Sequence, residues 1–165
     1  MDPLFSPWRM QFILASKDAD ADRCVLCEVQ AADTDRDRLI LHRSASAYVI
    51  LNLFPYNTAH LMVVPNRHVD RLAALTPAER AEAMELLARA EAVLEAEYRP
   101  QGFNLGANVG AVAGAGIPGH VHFHILPRWQ GDTNFLPVLG GAKSIPEALE
   151  ETYDRLRTAW TRATP

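Results

Sequence analysis

His120, His122 and His124 alternate with Val121, Phe123 and Ile125 in the run from Gly119 to Pro127. On an extended strand successive side chains point to opposite faces, so the three imidazoles share one face and the apolar residues fill the other. At a rise of roughly 3.3 Å per residue, neighbouring imidazoles stand about 6–7 Å apart. Three of the chain's six histidines are spent on this row. Imidazoles titrate near neutrality, so the row suits metal ligation, proton transfer or nucleophilic attack. A row of histidines left on a solvent face would serve none of these.

Two further stretches carry chemistry. The segment from Gly110 to Ile117 is built of small residues, including Gly114, Ala115 and Gly116. Main-chain N–H groups exposed in such a loop make a concavity that favours phosphate. It lacks the lysine and spacing of a P-loop and leads into a strand rather than a helix. Next to three histidines it points to attack by a neutral imidazole at phosphorus. Flanking imidazoles would donate to the developing charge, and amides at Gly114–Gly116 would hold non-bridging oxygens. No G-x-S-x-G is present for an acyl-transfer nucleophile. The only cysteines, Cys24 and Cys27, are spaced C-x-x-C. Two thiolates at that spacing supply half of a tetrahedral zinc site, which imidazoles complete. The flanks do not read as the βαβ unit of a redox pair. His42, His60, His68 and one member of the triad are the open choices for the remaining ligands.

These residues need a scaffold of short strands. Leu39–Leu41, Ala47–Leu53, His60–Pro65 and Gly102–Val109 read as strands joined by turns. Thr76-Pro77-Ala78-Glu79 opens a long helix with a threonine cap, proline in the first turn and a capping box. Leu75, Met84, Leu87, Val93 and Leu94 form its apolar stripe, and Arg99-Pro100 ends it. A last helix runs from about Pro146 to Arg162, after a loop from Trp129 to Pro137. The expected fold class is therefore α+β, an antiparallel sheet of about five strands with an inserted long helix and a C-terminal helix. The segment at residues 8–14 reads as an arm packed on the body or on a partner.

The chain's 165 residues fit one domain, 1–165, with its core at about 24–128. A net charge of −4 disfavours nucleic-acid binding by bulk electrostatics. No stretch is apolar and long enough to span a membrane, and residues 1–10 carry no apolar run of signal-peptide length. The expected location is the cytoplasm, with no membrane partner.

Taken together, Leu51–His68, Gly102-Phe103-Asn104-x-Gly106-x-Asn108-x-Gly110 and His120-x-His122-x-His124-x-x-Pro127-Arg128 resemble the histidine triad (HIT) nucleotide-binding proteins. Ser6–Met10 and Gly131–Phe135 are similar to the branch that acts on diadenosine polyphosphates. The resemblance implies a HIT-like fold and gives each matching position a role. His122 would be the nucleophile that carries a nucleotidyl group, His124 would contact phosphate oxygens, and His120 would sit beside His122 and help fix it. Asn52 would bind ribose and Asn108 phosphate or ribose. Zinc-bearing members imply Cys24, Cys27, His68 and His120 as ligands of a structural Zn2+. His60 is then a packed, hydrogen-bonded histidine and His42 a surface one.

Where many members carry Gln-Ser or Gln-Thr before the triad, this chain has Gly116-Ile117, so its leaving-group contact comes from elsewhere. The resemblance also implies a homodimer joined through the long helix and an adjacent strand. The implied activity is cleavage at the α-phosphate of a dinucleoside polyphosphate such as diadenosine tetraphosphate, by hydrolysis or phosphorolysis. The alternatives are a nucleoside phosphoramidase, transfer of a nucleotide onto a hexose phosphate, or a zinc-stabilised nucleotide-binding module without turnover.

Overall fold

A computed structural model describes residues 23–133 and 145–163. The expected N-terminal arm, Ser144 and the far end of the loop after Trp129 lie outside these residues. Five strands, β1 (Ile40–Arg43), β2 (Ala47–Leu51), β3 (Leu61–Pro65), β4 (Gly102–Gly106) and β5 (Phe123–Arg128), form one sheet in the order β1-β2-β3-β5-β4. Every pairing is antiparallel. Helix α1 (Val25–Ala31) precedes the sheet, α2 (Pro77–Tyr98) joins β3 to β4, and α3 (Leu149–Arg162) follows β5. The expected α+β architecture is the one observed.

The central strands of the sheet are covered on both sides. Leu41, Val49, Leu51, Leu61, Val63, Val121, Phe123 and Ile125 pack with α2 and α3. On the other face Ile40, Tyr48, Ile50, Met62 and Val64 pack with Leu26 of α1. The Tyr48 hydroxyl donates to the Leu26 carbonyl at 2.8 Å, which ties α1 to the central strands. That second face, partly uncovered, is where the chemistry collects.

The start of α2 follows its sequence signature. Thr76 Oγ1 accepts from the Glu79 amide and the Glu79 carboxylate accepts from the Thr76 amide, with Pro77 next to the cap. Of the expected stripe, Leu75, Leu87, Val93 and Leu94 are buried, and Met84 is the exception. Ala83, Leu86, Leu87, Ala90, Val93 and Leu94 face the core, whereas Met84 is 61% exposed. Ala83 and Ala90 belong to this buried face, and a search for bulky apolar residues passes over them.

Element ends shift for local reasons. Pro65 has no N–H to extend the ladder, so β5 starts at Phe123 and His120 and His122 lie in the extended run just before it. Val121 keeps that run in line by donating to the Val69 carbonyl at 2.7 Å. Pairing of β4 ends at Gly106 opposite His124, short of the expected Val109. Helix α3 begins at Leu149 rather than Pro146, because Glu147 accepts from Tyr98 and Thr152 and pairs with Arg155, which anchors the segment before the first turn. His42 is not a surface histidine. It is half-buried against Trp160, ring centroids 5.5 Å apart, and burial lowers its pKa.

Candidate active site

The extended approach to β5 places all three triad imidazoles on the α1 side of the sheet. His122 is 5% exposed, and its Nδ1 donates to the main-chain carbonyl of His120 at 2.8 Å. A carbonyl only accepts, so the Nδ1 proton is fixed and Nε2 carries the lone pair. His124 stands edge-to-face with His122, centroids 4.9 Å apart. Burial lowers the pKa of both, that of His124 to about 4, so both are neutral at physiological pH.

His122 and His124 line a cavity of about 250 Å3 with Asn52, Asn108 and Gly116. Its other walls are largely apolar, including Leu26, Ile50, Met62 and Ile117. Apolar walls with a few convergent polar groups suit a flat heterocycle attached to a polar, phosphate-bearing tail. Gly116 is part of the lining, whereas Gly114 and Ala115 form the turn that leads to it. Gly114 takes a left-handed conformation (φ 87°) that favours glycine, and its carbonyl accepts from Asn108 Nδ2 at 3.4 Å. The turn therefore orients Asn108.

His60 is fully buried, as expected of a packed histidine. Its partner is informative: Nε2 lies 2.9 Å from His124 Nδ1, and Nδ1 receives the Tyr56 amide and Asn52 Nδ2, each at 3.1 Å. This link between residues 64 apart carries no sequence signal beyond a histidine opening an apolar strand. Arg128 does not reach the cavity. Its guanidinium binds Asp132 at 2.6 and 2.8 Å and the Asn104 side chain at 2.6 Å. Asp132 also accepts from Asn57 Nδ2 at 2.9 Å, which clamps the turn after β2 to the end of β5.

A second cluster abuts the first. Cys24, Cys27, His68 and His120 bring four ligand atoms within 4.8 Å of one another, and His42 and His60 lie elsewhere. His120 Nδ1 is 3.3 Å from Cys24 Sγ and 3.5 Å from Cys27 Sγ, and His68 Nδ1 is 3.4 Å from Cys27 Sγ. Donors around a tetrahedral Zn2+ with Zn–S of about 2.3 Å and Zn–N of about 2.0 Å stand roughly 3.3–3.8 Å apart. His120 Nε2 donates to the Pro65 carbonyl at 2.8 Å, so Nδ1 offers its lone pair to the cluster. Burial, then the adjacent Cys24, pushes the Cys27 thiol up to about 11. Two thiolates here require a cation between them. The donor set and spacing fit a tetrahedral thiolate–imidazole centre.

The chain matches one known protein family and several of its members. The HIT domain family model matches residues 34–131. The AP-4-A phosphorylase of Mycobacterium tuberculosis is 45% identical over 129 residues, covering 78% of this chain; the chain spans 66% of that relative's length. The asymmetrical bis(5'-nucleosyl)-tetraphosphatase of Schizosaccharomyces pombe is 33% identical over 93 residues, 56% of this chain and 50% of the relative. Among solved structures, a Zn-bound histidine triad family protein from Mycobacterium smegmatis superposes with a TM-score of 0.68 at 24% identity, over 84% of this chain and 94% of that one.

Proposed function

The chain belongs to the HIT family, and from that premise we propose that it cleaves dinucleoside polyphosphates at the α-phosphate through a nucleotidyl-His122 intermediate. The observation that carries the reading is the His122 imidazole, whose proton is committed to a main-chain carbonyl while its other nitrogen is left for the cavity it lines. In the first step His122 Nε2 forms a bond to the α-phosphorus and the bond to the bridging oxygen breaks, releasing the nucleoside polyphosphate. In the second step water or inorganic phosphate attacks the same phosphorus and the P–N bond breaks. A phosphorylase and a tetraphosphatase are both among the relatives, and phosphate or water as the acceptor in this second step corresponds to those two names.

His124 and the Gly116 main chain contact the phosphate oxygens, Asn108 assists them, and Asn52 binds the ribose. Cys24, Cys27, His68 and His120 hold a structural zinc ion. Bound zinc would neutralise the two thiolates and stiffen the junction between α1 and the triad. The chain forms a single HIT domain acting in the cytoplasm, as a homodimer through α2 and edge strand β4, where Met84 and Leu105 are exposed. No helix among the described residues is long and apolar enough to cross a membrane.

The test is product analysis on a dinucleoside tetraphosphate with and without inorganic phosphate. Hydrolysis yields nucleoside mono- and triphosphate, and phosphorolysis yields di- and triphosphate. Release of an amine from a nucleoside phosphoramidate, with the tetraphosphate untouched, would replace this reading with a phosphoramidase.

A further inference from the structure

We infer that the charged turn before β1, at Asp37 and Arg38, reads the outer edge of the bound base and makes the cavity selective for aminopurines. That the ligand is a nucleotide rests on the reading given above, but neither residue takes part in the chemistry at phosphorus.

Cross-strand register gives the cavity its length. His124 lies opposite Met62, Met62 opposite Ile50, and Ile50 opposite Ile40, so one row crosses the sheet from β5 through β3 and β2 to β1. Residues directly opposite one another share a face, and this is the face that packs with Leu26 of α1. Three strand spacings of roughly 4.8 Å put the far end of the row about 14 Å from His124. Met62 and Ile50 form an apolar floor between the two ends, and Leu26 and Val29 of α1 line the same cavity. A phosphate held at His122 and His124 leaves its sugar and base to lie along this floor, with the base outermost.

At the outer end stand four charged residues in a row, Asp35, Arg36, Asp37 and Arg38. Two are committed elsewhere. Asp35 accepts from Arg43 Nε at 2.7 Å, and Arg36 forks onto Asp154, with Nη2 donating to Oδ2 at 2.9 Å. The other two line the cavity, and among the described residues that do so they are the only Asp, Glu, Lys or Arg. Main-chain bonds hold the turn in shape: the Leu39 amide donates to the Arg36 carbonyl at 3.0 Å and the Ile40 amide to the Asp35 carbonyl at 2.8 Å. Leu39 itself is left-handed (φ 59°), a conformation a leucine keeps only when its surroundings impose it. The Leu51 amide donates to the Leu39 carbonyl at 3.0 Å, which fixes the turn beside Asn52.

A carboxylate only accepts hydrogen bonds and a guanidinium only donates them. Side by side at the end of apolar walls, the two match a ring edge that offers N–H groups next to an acceptor. Adenine offers its 6-amino group beside a ring nitrogen, and guanine offers N1–H and its 2-amino group with O6 alongside. In both, the amino group goes to Asp37 and the acceptor to Arg38. A pyrimidine, one ring shorter, does not reach the turn.

Calorimetric titration of the full chain with nucleoside monophosphates tests this in two pairs, each differing by one amino group. The pairs are AMP against purine riboside monophosphate and GMP against inosine monophosphate. The wild type is expected to bind the amino member of at least one pair on the order of 10-fold more tightly, and the pair that shows the preference identifies the base. Uridine monophosphate is expected to bind more weakly than either amino member. Asp37→Ala is expected to abolish the preference, so that both members bind as the one without the amino group binds to the wild type. Arg38→Ala is expected to weaken both members by the same factor, since both retain the acceptor. Equal affinities within both pairs in the wild type, or an undiminished preference in Asp37→Ala, would overturn the inference and leave the cleavage reading standing. Absence of binding by every monophosphate would overturn both. Selective binding by a chain that cleaves no dinucleoside polyphosphate would overturn the cleavage reading alone.

Discussion

The main-chain carbonyl of His120 accepts the Nδ1–H of His122 at 2.8 Å, while the His120 ring turns its own Nδ1 to Cys24 and Cys27 at 3.3 and 3.5 Å. One residue therefore belongs to two sites: its backbone fixes the tautomer of His122, the proposed nucleophile, and its side chain closes the thiolate cluster. The cavity and the cluster are joined through this shared residue.

Metal content should follow that link. The purified chain is expected to hold one zinc per molecule by elemental analysis, and His68→Ala, at the exposed corner of the cluster, is expected to lower both occupancy and Tm. Chelation of the wild type should reproduce the drop in Tm. Full zinc content in a Cys24→Ser, Cys27→Ser double variant would reject the ligand set.

Acid should destabilise the fold through the buried imidazoles. Burial lowers the pKa of His120, His122 and His124 below the ordinary 6.5, to about 4 for His124. The unfolded chain takes up protons first, so stability is full above pH 6.5 and is lost as pH falls toward about 4. Denaturant titrations across that window, with His124→Gln showing a shallower decline than wild type, check the sign.

Helix α2 allows a paired test of which face packs. Leu87→Ala is expected to cost about 2–5 kcal/mol, and Met84→Ala to stay within about 0.5 kcal/mol in a monomer. Thr76→Ala, which removes the cap bonded to Glu79, should cost about 1 kcal/mol. Urea unfolding with unchanged m-values measures all three.

Period-two alternation made the triad legible in the sequence, because alternation on a strand needs no knowledge of the rest of the fold. The capping box at Thr76 and the C-x-x-C pair were equally local, and both are found where the chain placed them. Contacts across the fold were not legible. The His60–His124 bond joins elements 64 residues apart, and the half-burial of His42 depends on Trp160 from the last helix. The stripe on α2 was legible except at Met84, and buried Ala83 and Ala90 were passed over because small side chains give a weak periodic signal. Between Gly114 and Gly116 composition alone could not say which backbone faces the cavity; that required the left-handed turn at Gly114.

The most direct test of the nucleophile is mass spectrometry of the chain quenched during turnover of a dinucleoside tetraphosphate. The expected result is an acid-labile nucleoside monophosphate on the peptide containing His122, lost in His122→Ala together with activity. A covalent nucleotide on another residue, or undiminished turnover by His122→Ala, would contradict the mechanism.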